Sequence, residues 1–406
     1  MNLANWLARS AQISPERSAL FQGQEQVADY AAFDARARAV AGWLIAQGVQ
    51  PGDRVAIFMK NCPDYLIVFY GIWYAGAAVV PIHAKLPPRE AAFILDDAGA
   101  ALVFVSPQLA EGLDGSARPL ITPGAAFDRV LNAPGVETAV DRAPDDLAWL
   151  FYTSGTTGSP KGVMITHGMA LSMALCYGVD VDHVSPEDAA IYAAPMSHGA
   201  GLYNLMHVQA GARHVCPASG GFDVHEILDL AEHFGRSHMF AAPTMVKRMT
   251  DTAKATGRRG EGLRTIVYAG GPMYNADIID AVDHFGPVFV QIYGQGECPM
   301  GITALPRDVV ADRSHPQWRA RLASVGRAQS AVEVQIGDAS ATPLPAGQAG
   351  EIMVRGQTVM PGYWNNAEAT AKTLLGGWLM TGDVGMMDDE GFVTLHDRSK
   401  DMIITG

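Results

Sequence analysis

The sequence contains few cysteines. Its 406 residues include four, at Cys62, Cys176, Cys216 and Cys298, and no two of them form a CxxC pair. This spacing gives no indication of a zinc site or of a disulfide framework. Such usage fits a reducing cytosol, and the first nine residues lack the basic start and long apolar core of a signal peptide. We therefore expect a cytoplasmic protein.

Charged residues are also scarce, at 17% of the chain, and acidic residues outnumber basic ones. The formal net charge of −13 argues against general nucleic-acid binding. Hydrophobic residues make up 49% of the chain, which suits a well-packed enzyme rather than a disordered protein. Because 406 residues exceed what one core accommodates, we expect two or three subdomains.

One uncharged stretch resembles a membrane span. Residues 65–82 carry no charge and have about the length of a bilayer crossing. However, Gly71, Gly76 and Pro81 interrupt the stretch. We therefore expect a buried helix followed by a buried strand, and no stable membrane insertion.

Two common nucleotide-binding motifs are missing. The chain contains no Gly-x-x-x-x-Gly-Lys-[Ser/Thr] loop, which argues against an ordinary P-loop ATPase or kinase. It also has no Gly-x-Gly-x-x-Gly turn at a first strand–helix junction, which argues against a Rossmann oxidoreductase.

Helical segments and short apolar runs alternate between about residues 31 and 290. The strand candidates are 54–58, 101–105, 189–193, 265–268 and 288–292, and the helix candidates are 34–47, 224–234, 244–252 and 275–285. This alternation predicts parallel sheets covered on both faces.

The pattern changes beyond about residue 324. Short strand-like runs at 332–336, 350–354 and 391–395 alternate with Gly/Pro turns, which predicts a small β-barrel-like subdomain. We therefore expect an α/β protein with two intertwined, doubly wound subdomains in residues 1–323. A β-rich subdomain at 324–397 and a hinge segment at 398–406 would follow.

The densest cluster of hydrogen-bond donors is the segment 152–163, Tyr-Thr-Ser-Gly-Thr-Thr-Gly-Ser-Pro-Lys-Gly-Val. It lies between strand-like runs at 147–152 and 163–166. Glycines let a backbone approach an anion closely, and the hydroxyls and Lys161 can donate hydrogen bonds to phosphate oxygens. A polyphosphate-binding loop is favoured, and a plain Ser/Thr/Gly hairpin turn is the alternative.

Further motifs lie at the ends of predicted strands, where α/β folds place ligands. They are Tyr268-Ala-Gly-Gly-Pro-Met273, Tyr293-Gly-Gln-Gly-Glu297, Trp378-Leu-Met-Thr-Gly-Asp383 and Asp397-Arg-Ser-Lys-Asp401. Each alone is compatible with a turn, a core aromatic residue or a surface acid. Their order around the donor-rich loop favours a shared site.

Together these motifs resemble the adenylate-forming superfamily of acyl-CoA synthetases, peptide-synthetase adenylation domains and luciferase, over nearly the whole chain. The resemblance implies that the loop holds the β- and γ-phosphates of ATP and that Glu297 binds Mg²⁺. It also implies that Asp383 and Arg398 contact the ribose and that Lys400 is the hinge. The implied nucleotide-binding set is Thr153, Ser154, Gly155, Thr156, Thr157, Gly158, Lys161, Gly270, Gly271, Pro272, Tyr293, Gly294, Gln295, Gly296, Asp383 and Arg398.

Pro195-Met-Ser-His198 matches the superfamily segment whose histidine lies near the reacting carboxylate. Glycines follow it, which favours this role over a structural histidine at a strand end, and the other eleven histidines are treated as ordinary. The resemblance thus assigns catalytic roles to His198, Glu297 and Lys161. The expected acyl pocket comprises His198, Tyr203, Ala269, Gly270, Tyr293, Gly294 and Met300. Its small residues, Ala269, Gly270 and Gly294, leave room for a ring or an alkyl chain.

Two departures from the superfamily stand out. Gly296 replaces a threonine whose hydroxyl is expected to contact the α-phosphate, a loss of about 0.5–1.5 kcal/mol. The sequence ends at Gly406, just beyond the hinge, where the superfamily continues into a lid domain that completes adenylation. We therefore expect a weakened enzyme.

The implied activity is the conversion of a carboxylic acid and ATP into an acyl-adenylate and pyrophosphate, followed by transfer of the acyl group to coenzyme A. The acid is expected to be aromatic, of the benzoate or cinnamate type, or a medium-chain fatty acid. An adenylation unit that loads a carrier protein and a non-catalytic acyl- or nucleotide-binding protein are the alternatives. The small molecules expected are ATP or AMP, Mg²⁺ and coenzyme A, and a homodimer stays open.

Overall fold

A computed structural model describes residues 1–113, 118–153 and 160–398, without the side chains of residues 397 and 398. Three sheets organise this part of the chain. Its strands are β1 (Ser18–Gln22), β2 (Glu25–Asp29), β3 (Arg54–Phe58), β4 (Ala78–Pro81), β5 (Val103–Val105), β6 (Leu120–Ile121), β7 (Leu147–Thr153), β8 (Lys161–Thr166), β9 (Ala189–Ile191), β10 (Arg213–Cys216), β11 (Ser237–Ala241), β12 (Leu263–Tyr268), β13 (Phe289–Gln295), β14 (Cys298–Leu305), β15 (Arg327–Ala328), β16 (Val332–Gly337), β17 (Gly350–Gly356), β18 (Leu374–Leu375), β19 (Trp378–Met387) and β20 (Val393–Arg398).

Helices fill most of the connections between the strands of the first two sheets. They are α1 (Ala4–Ile13), α2 (Tyr30–Ala46), α3 (Pro63–Tyr74), α4 (Pro88–Ala98), α5 (Pro107–Ala110), α6 (Ala125–Leu131), α7 (His167–Cys176), α8 (Gly199–Leu202), α9 (Asn204–Ala210), α10 (Val224–Phe234), α11 (Pro243–Thr256), α12 (Asn275–Phe285), α13 (Arg307–Ala311), α14 (Trp318–Ala323) and α15 (Ala367–Thr373).

Local capping explains where the predicted helices begin and end. The bounds predicted for α10 and α12 are confirmed. In α10 the Asp223 side chain accepts a hydrogen bond from the Glu226 N–H at 3.0 Å, and Gly235 ends the helix in the left-handed region. The α2 helix begins earlier than predicted, because the Asp29 side chain caps it by accepting from the Ala32 N–H at 2.7 Å.

The largest sheet has nine strands in the order β15-β14-β13-β12-β11-β9-β10-β1-β2. The strands from β13 to β1 pair in parallel, as the alternating pattern predicts. Its edges are antiparallel, through β1 with β2 and through β13 with β14 and β15. The consecutive parallel strands β12 and β13 bring two of the predicted motifs to the same edge.

The second sheet has six strands in the order β6-β5-β3-β4-β7-β8. It is parallel except for its last pair, where β7 and β8 run antiparallel and Thr153 lies opposite Lys161. The donor-rich loop therefore connects the two strands of a hairpin. Hairpin topology agrees equally with a phosphate loop and with a plain turn.

The third sheet is antiparallel and contains β16, β17, β19 and β18 in that order, with β20 also paired to β19. The chain thus has the predicted α/β class with an added antiparallel unit. The uncharged stretch 65–82 forms the buried helix α3 and the strand β4, as expected. Among the described residues, no helix is long and apolar enough to cross a bilayer.

Candidate functional site

Asp383 in β19 is fixed by two side chains from the end of β13. The Tyr293 hydroxyl donates to Asp383 Oδ2 at 2.6 Å, and Gln295 Nε2 donates to the same oxygen at 2.8 Å. Gln295 Nε2 also donates to the Thr381 carbonyl at 2.9 Å. Burial and the neighbouring Asp383 carboxylate raise the pKa of Tyr293 well above its usual range, so the phenol remains a donor.

This arrangement joins three residues of the predicted nucleotide-binding set across 90 positions of sequence. Arg398 of β20 lies directly opposite Asp383 in the strand register, although its side chain lies outside the described residues. A carboxylate held in this way offers acceptor capacity that suits a pair of ribose hydroxyls.

Glu297 and Lys161 both contact Tyr363, Glu297 at its hydroxyl and Lys161 at its ring. The Tyr363 hydroxyl donates to Glu297 Oε1 at 2.6 Å, and Lys161 Nζ lies 5.1 Å from the centroid of the same ring. Burial and the Glu297 carboxylate raise the pKa of Tyr363, which keeps its hydroxyl protonated. Tyr363 is not among the site residues predicted from the sequence.

The backbone explains how Tyr363 reaches this position. Its segment pairs with β8, through a bridge between Val163 and Tyr363 and through the Trp364 N–H, which donates to the Gly162 carbonyl at 2.7 Å. The signal available in the sequence was the Pro-Gly-Tyr-Trp run at 361–364, an aromatic pair directly after a turn.

The surroundings of Glu297 suit a magnesium ion shared with phosphates. Mg²⁺ is usually held by one or two carboxylates together with substrate phosphates. Over residues 1–113, 118–153 and 160–398, no group of three or more His, Cys, Asp or Glu side chains could hold a metal on its own. A single carboxylate anchored by Tyr363, with Lys161 close by, fits the shared arrangement.

His198 lies immediately before α8 and makes edge-to-face contacts with two rings. The ring centroids of His83 and Phe151 are 4.9 Å and 5.3 Å from its own, and Ser197 Oγ lies 3.0 Å from its Nδ1. Part of the side chain faces solvent. The surrounding protein and the neighbouring His83 lower the pKa of His198, so that the ring is neutral at pH 7.

Gly296 directly follows β13 and lies against the end of β7. A Cβ atom at this position would lie 2.7 Å from Thr153 Cγ2 and 3.0 Å from Phe151 Cδ1. The space that a threonine side chain would need is therefore filled by Thr153 and Phe151, which the sequence analysis did not anticipate. Phe151 in turn packs against His198, so this contact links the loop strand to the predicted catalytic histidine.

The predicted acyl-pocket residues Tyr203, Ala269 and Met300 lie in one apolar cluster. A Cβ atom on Gly294 would lie 2.6 Å from the Met300 N, so only glycine permits this approach of β13 to β14. At the end of β12, Gly270 has a φ of 82° and open space around it. Gly271 and Pro272 are exposed beside it.

Several predicted residues fall outside the described part of the chain. They are the loop residues Ser154, Gly155, Thr156, Thr157 and Gly158, and the hinge residue Lys400. Their roles stay predictions. We call the group Asp383, Tyr293, Gln295, Glu297, Tyr363 and Lys161 the nucleotide end of the site, and the group His198, Tyr203, Ala269 and Met300 the acyl end.

Comparison with known sequences relates the whole chain to one family. Residues 7–364 match the family described as AMP-binding enzyme. The feruloyl-CoA synthase of an Amycolatopsis species is 34% identical over an alignment that covers 100% of this chain and 80% of that protein. The 2-succinylbenzoate–CoA ligase of Geobacillus kaustophilus is 32% identical, with 100% and 79% covered.

Solved structures show the same architecture. The inhibitor-bound N-terminal domain of FACL13 from Mycobacterium tuberculosis matches with a TM-score of 0.88 at 29% identity, covering 98% of this chain and 99% of that one. ATP-bound MatB from Rhodopseudomonas palustris matches with a TM-score of 0.87 at 28% identity, covering 100% of this chain and 80% of that one. The similarity thus extends over all three sheets rather than over one motif.

Proposed function

The chain belongs to the AMP-binding enzymes, the superfamily of the acid–CoA ligases, and from this premise we propose that it activates a carboxylic acid with ATP. A carboxylate oxygen would attack the α-phosphorus, form the acyl–phosphate bond and break the bond to the pyrophosphate leaving group. A thiol would then attack the acyl carbon and release AMP. Coenzyme A is the proposed thiol, since the relatives described above are CoA ligases or synthases.

The proposal rests on one observation, that the polar side chains of the nucleotide end are held together by hydrogen bonds and ring contacts. Asp383 receives hydrogen bonds from Tyr293 and Gln295, while Glu297 and Lys161 share Tyr363. A nucleotide has a ribose and a phosphate part. Asp383 offers an anchored carboxylate for the ribose, and Glu297 and Lys161 offer a carboxylate and a cation for the phosphates. In this reaction two anions must meet, so the principal tasks are positioning and charge neutralisation.

Each of these side chains has a proposed task. Asp383 would orient the nucleotide through its ribose, and Lys161 would donate to the departing phosphates. Glu297 would hold Mg²⁺, which neutralises charge on the leaving pyrophosphate. The neutral ring of His198 would border the acid's carboxylate without trapping it in an ion pair.

The proposed acid is aromatic or a medium-chain fatty acid. The cluster of Tyr203, Ala269 and Met300 is apolar, and Gly270 leaves open space beside it. Feruloyl-CoA synthase is named for an aromatic acid, which supports the aromatic option. Binding of acids with and without a ring distinguishes the two.

Calorimetric titration of the 406-residue chain tests the proposal. The ligands are AMP, ATP with Mg²⁺, and non-hydrolysable acyl-adenylate analogues with benzoyl, cinnamoyl and octanoyl groups. We expect at least one analogue to bind more tightly than AMP, because it fills both ends of the site. Failure of AMP, ATP and every analogue to bind would overturn the proposal.

The same titration tests the role of Lys161. Lys161→Ala should weaken ATP binding more than AMP binding, because the residue is assigned to the distal phosphates that AMP lacks. Lys254→Ala removes an exposed lysine of α11 that pairs with Asp280, and it serves as the control. Equal losses for ATP and AMP would contradict the assignment.

A further inference from the structure

Asn61 lies between β3 and α3 and bonds to the segment that leads to His198. Its side chain is buried, and its Nδ2 donates to the Tyr192 and Ala194 carbonyls, both at 2.8 Å. Its Oδ1 accepts from the Met196 N–H at 2.9 Å. Both donors of the amide and its oxygen therefore have partners, and all three partners are backbone groups of one segment.

The three backbone groups belong to alternate residues just beyond the end of β9, which ends at Ile191. Beyond the end of a strand, buried backbone groups need partners other than those of the sheet. The Asn61 amide supplies them as a neighbouring strand would, and it comes from the connection that follows β3 in the second sheet. The orientation of the amide is fixed, since each carbonyl needs a donor and the N–H needs an acceptor. The side chain thus joins the end of a strand in one sheet to the end of a strand in another.

Backbone contacts connect this segment to His198. The His198 N–H donates to the Pro195 carbonyl at 3.1 Å, and the Gly201 N–H donates to the His198 carbonyl at 2.8 Å. A Cβ atom on Gly201 would overlap the Met196 carbonyl oxygen, so only glycine allows α8 to lie this close to the segment. Met196 is fully buried, and only Ser197 separates it from His198. The contacts that hold Met196 in place therefore also limit where the backbone of His198 can lie.

The second sheet also supplies the two rings that contact the ring of His198. His83 follows β4 and Phe151 lies in β7, and both meet His198 edge to face, at interplanar angles of 86° and 90°. The strands β3, β4 and β7 are neighbours and run parallel. Asn61, His83 and Phe151 therefore lie near the carboxyl ends of adjacent strands, the edge at which α/β sheets place ligands. One edge of the second sheet holds both the backbone segment and the ring of His198.

We propose that Asn61 is a positioning residue for the acid substrate: its three backbone hydrogen bonds fix residues 192–196 and so place His198 beside the acid's carboxylate. The inference rests on the proposed activation of a carboxylic acid. In this role Asn61 does not contact the substrate and acts through His198 alone. Because the three hydrogen bonds exist before any ligand arrives, the acid does not have to order the segment when it binds.

A second asparagine with the same hydrogen-bonding pattern provides the control. Asn2 is buried, donates to the Trp73 and Val140 carbonyls and accepts from the Ala4 N–H. It therefore also bonds to three backbone groups, but none of them belongs to the segment before His198. Asn2→Ala removes the same number of hydrogen bonds as Asn61→Ala and leaves the proposed link intact. A difference between the two variants thus reports on the link and not on the loss of a buried amide as such.

Calorimetric titration of the 406-residue chain measures the link. The ligands are AMP and the benzoyl, cinnamoyl and octanoyl sulfamoyl-adenosines, and we define the acyl gain as the Kd of AMP divided by the Kd of the analogue that binds most tightly. We expect the acyl gain to fall about tenfold in Asn61→Ala and in His198→Ala, while the affinity for AMP stays within about twofold. Asn2→Ala should keep the acyl gain of the unaltered chain.

The double variant decides whether Asn61 acts through His198. Because the proposed effect depends on this one histidine, adding Asn61→Ala to His198→Ala should change the acyl gain by no more than about twofold. If Asn61→Ala does not fold, Asn61→Asp takes its place in the same comparison, since it keeps the side-chain acceptor and loses both donors.

The outcomes separate this inference from the proposed function. The inference would be overturned by a further loss of acyl gain in the double variant, by an unchanged acyl gain in Asn61→Ala or in His198→Ala, or by equal losses for AMP and the analogues. Each of these results would leave the binding of adenylates by the unaltered chain standing. No binding of AMP, of ATP with Mg²⁺ or of any analogue to the unaltered chain would overturn the proposed function itself.

Discussion

The two ends of the site hold their functional groups in different ways. At the nucleotide end, Asp383 and Glu297 are each bonded by a tyrosine hydroxyl at 2.6 Å, so their carboxylates are oriented before any ligand arrives. At the acyl end, Tyr203 and Met300 contribute packing in an apolar cluster. Hydrogen bonds that are formed before ligand binding suit the part of the ligand that is the same in every reaction. An apolar cluster discriminates among ligand parts that do vary by their shape and size.

Loss of the Asp383 carboxylate should have the largest effect. Asp383→Ala removes the proposed ribose acceptor and the acceptor of the Tyr293 hydroxyl, whereas Gln295 Nε2 keeps the Thr381 carbonyl. We expect AMP binding to weaken about 100-fold, or about 3 kcal/mol, by calorimetric titration. Asp389→Asn removes an exposed acid in the turn between β19 and β20, and the variant should bind AMP normally. Unchanged AMP affinity in Asp383→Ala would mean that Asp383 does not bind the nucleotide, and the nucleotide end would lose its proposed role.

Gly296 joins the two ends through Phe151, and a side chain there should disturb both. Gly296→Ala places a Cβ atom 2.7 Å from Thr153 Cγ2 and 3.0 Å from Phe151 Cδ1, so these side chains or their strand must shift. We expect a loss of about 2 kcal/mol in the free energy of unfolding, measured by chemical denaturation, together with weaker binding of AMP.

Gly221→Ala is the matched control for this substitution. A Cβ atom at Gly221 would meet no atom within 4 Å. A gain of stability or affinity in Gly296→Ala would contradict the packing contact. It would mean that the site tolerates a side chain at this position and has only lost the superfamily threonine.

Much of the fold was predictable because helix bounds depend on local signals. The bounds of α10 and α12 follow from amphipathic runs that end at a glycine. The antiparallel edge strands β2, β8, β14 and β15 were not predicted as such, since the apolar pattern of a strand does not specify the direction of its neighbour.

The candidate site was likewise predictable only in part. Tyr293, Gln295 and Asp383 were named from motifs, and the structure brings them within hydrogen-bonding distance. Tyr363 was missed because it reaches Glu297 only through backbone pairing with β8, which lies 200 residues earlier.

Tyr363→Phe should separate the two functions of the nucleotide end. The substitution keeps the ring beside Lys161 and removes the hydrogen bond to Glu297. We expect binding of ATP with Mg²⁺ to weaken about tenfold, or about 1.4 kcal/mol, with little change for AMP. Tyr274→Phe, which alters a tyrosine 72% exposed, is the control. A larger effect on AMP than on ATP would assign Tyr363 to the ribose rather than to the metal.

The smallest predicted effect concerns pH, because the region next to the acyl end contains buried neutral histidines. Burial lowers the pKa of His214 to about 3, whereas an unfolded histidine titrates near about 6.5. As the pH falls through this window, the unfolded state binds a proton that the folded state does not, so the free energy of unfolding decreases. Between pH 7 and pH 6 the contribution of His214 should decrease by about 0.7 kcal/mol.

Chemical denaturation of the unaltered chain and of His214→Gln at both pH values measures this contribution. The variant should lose about 0.7 kcal/mol less than the unaltered chain, because glutamine does not titrate. An identical loss in both would mean that His214 is protonated in the folded protein as readily as in the unfolded one. In that case its ring could not be the buried neutral group that packs beside His207, and the contrast between a hydrogen-bonded nucleotide end and an apolar acyl end would weaken.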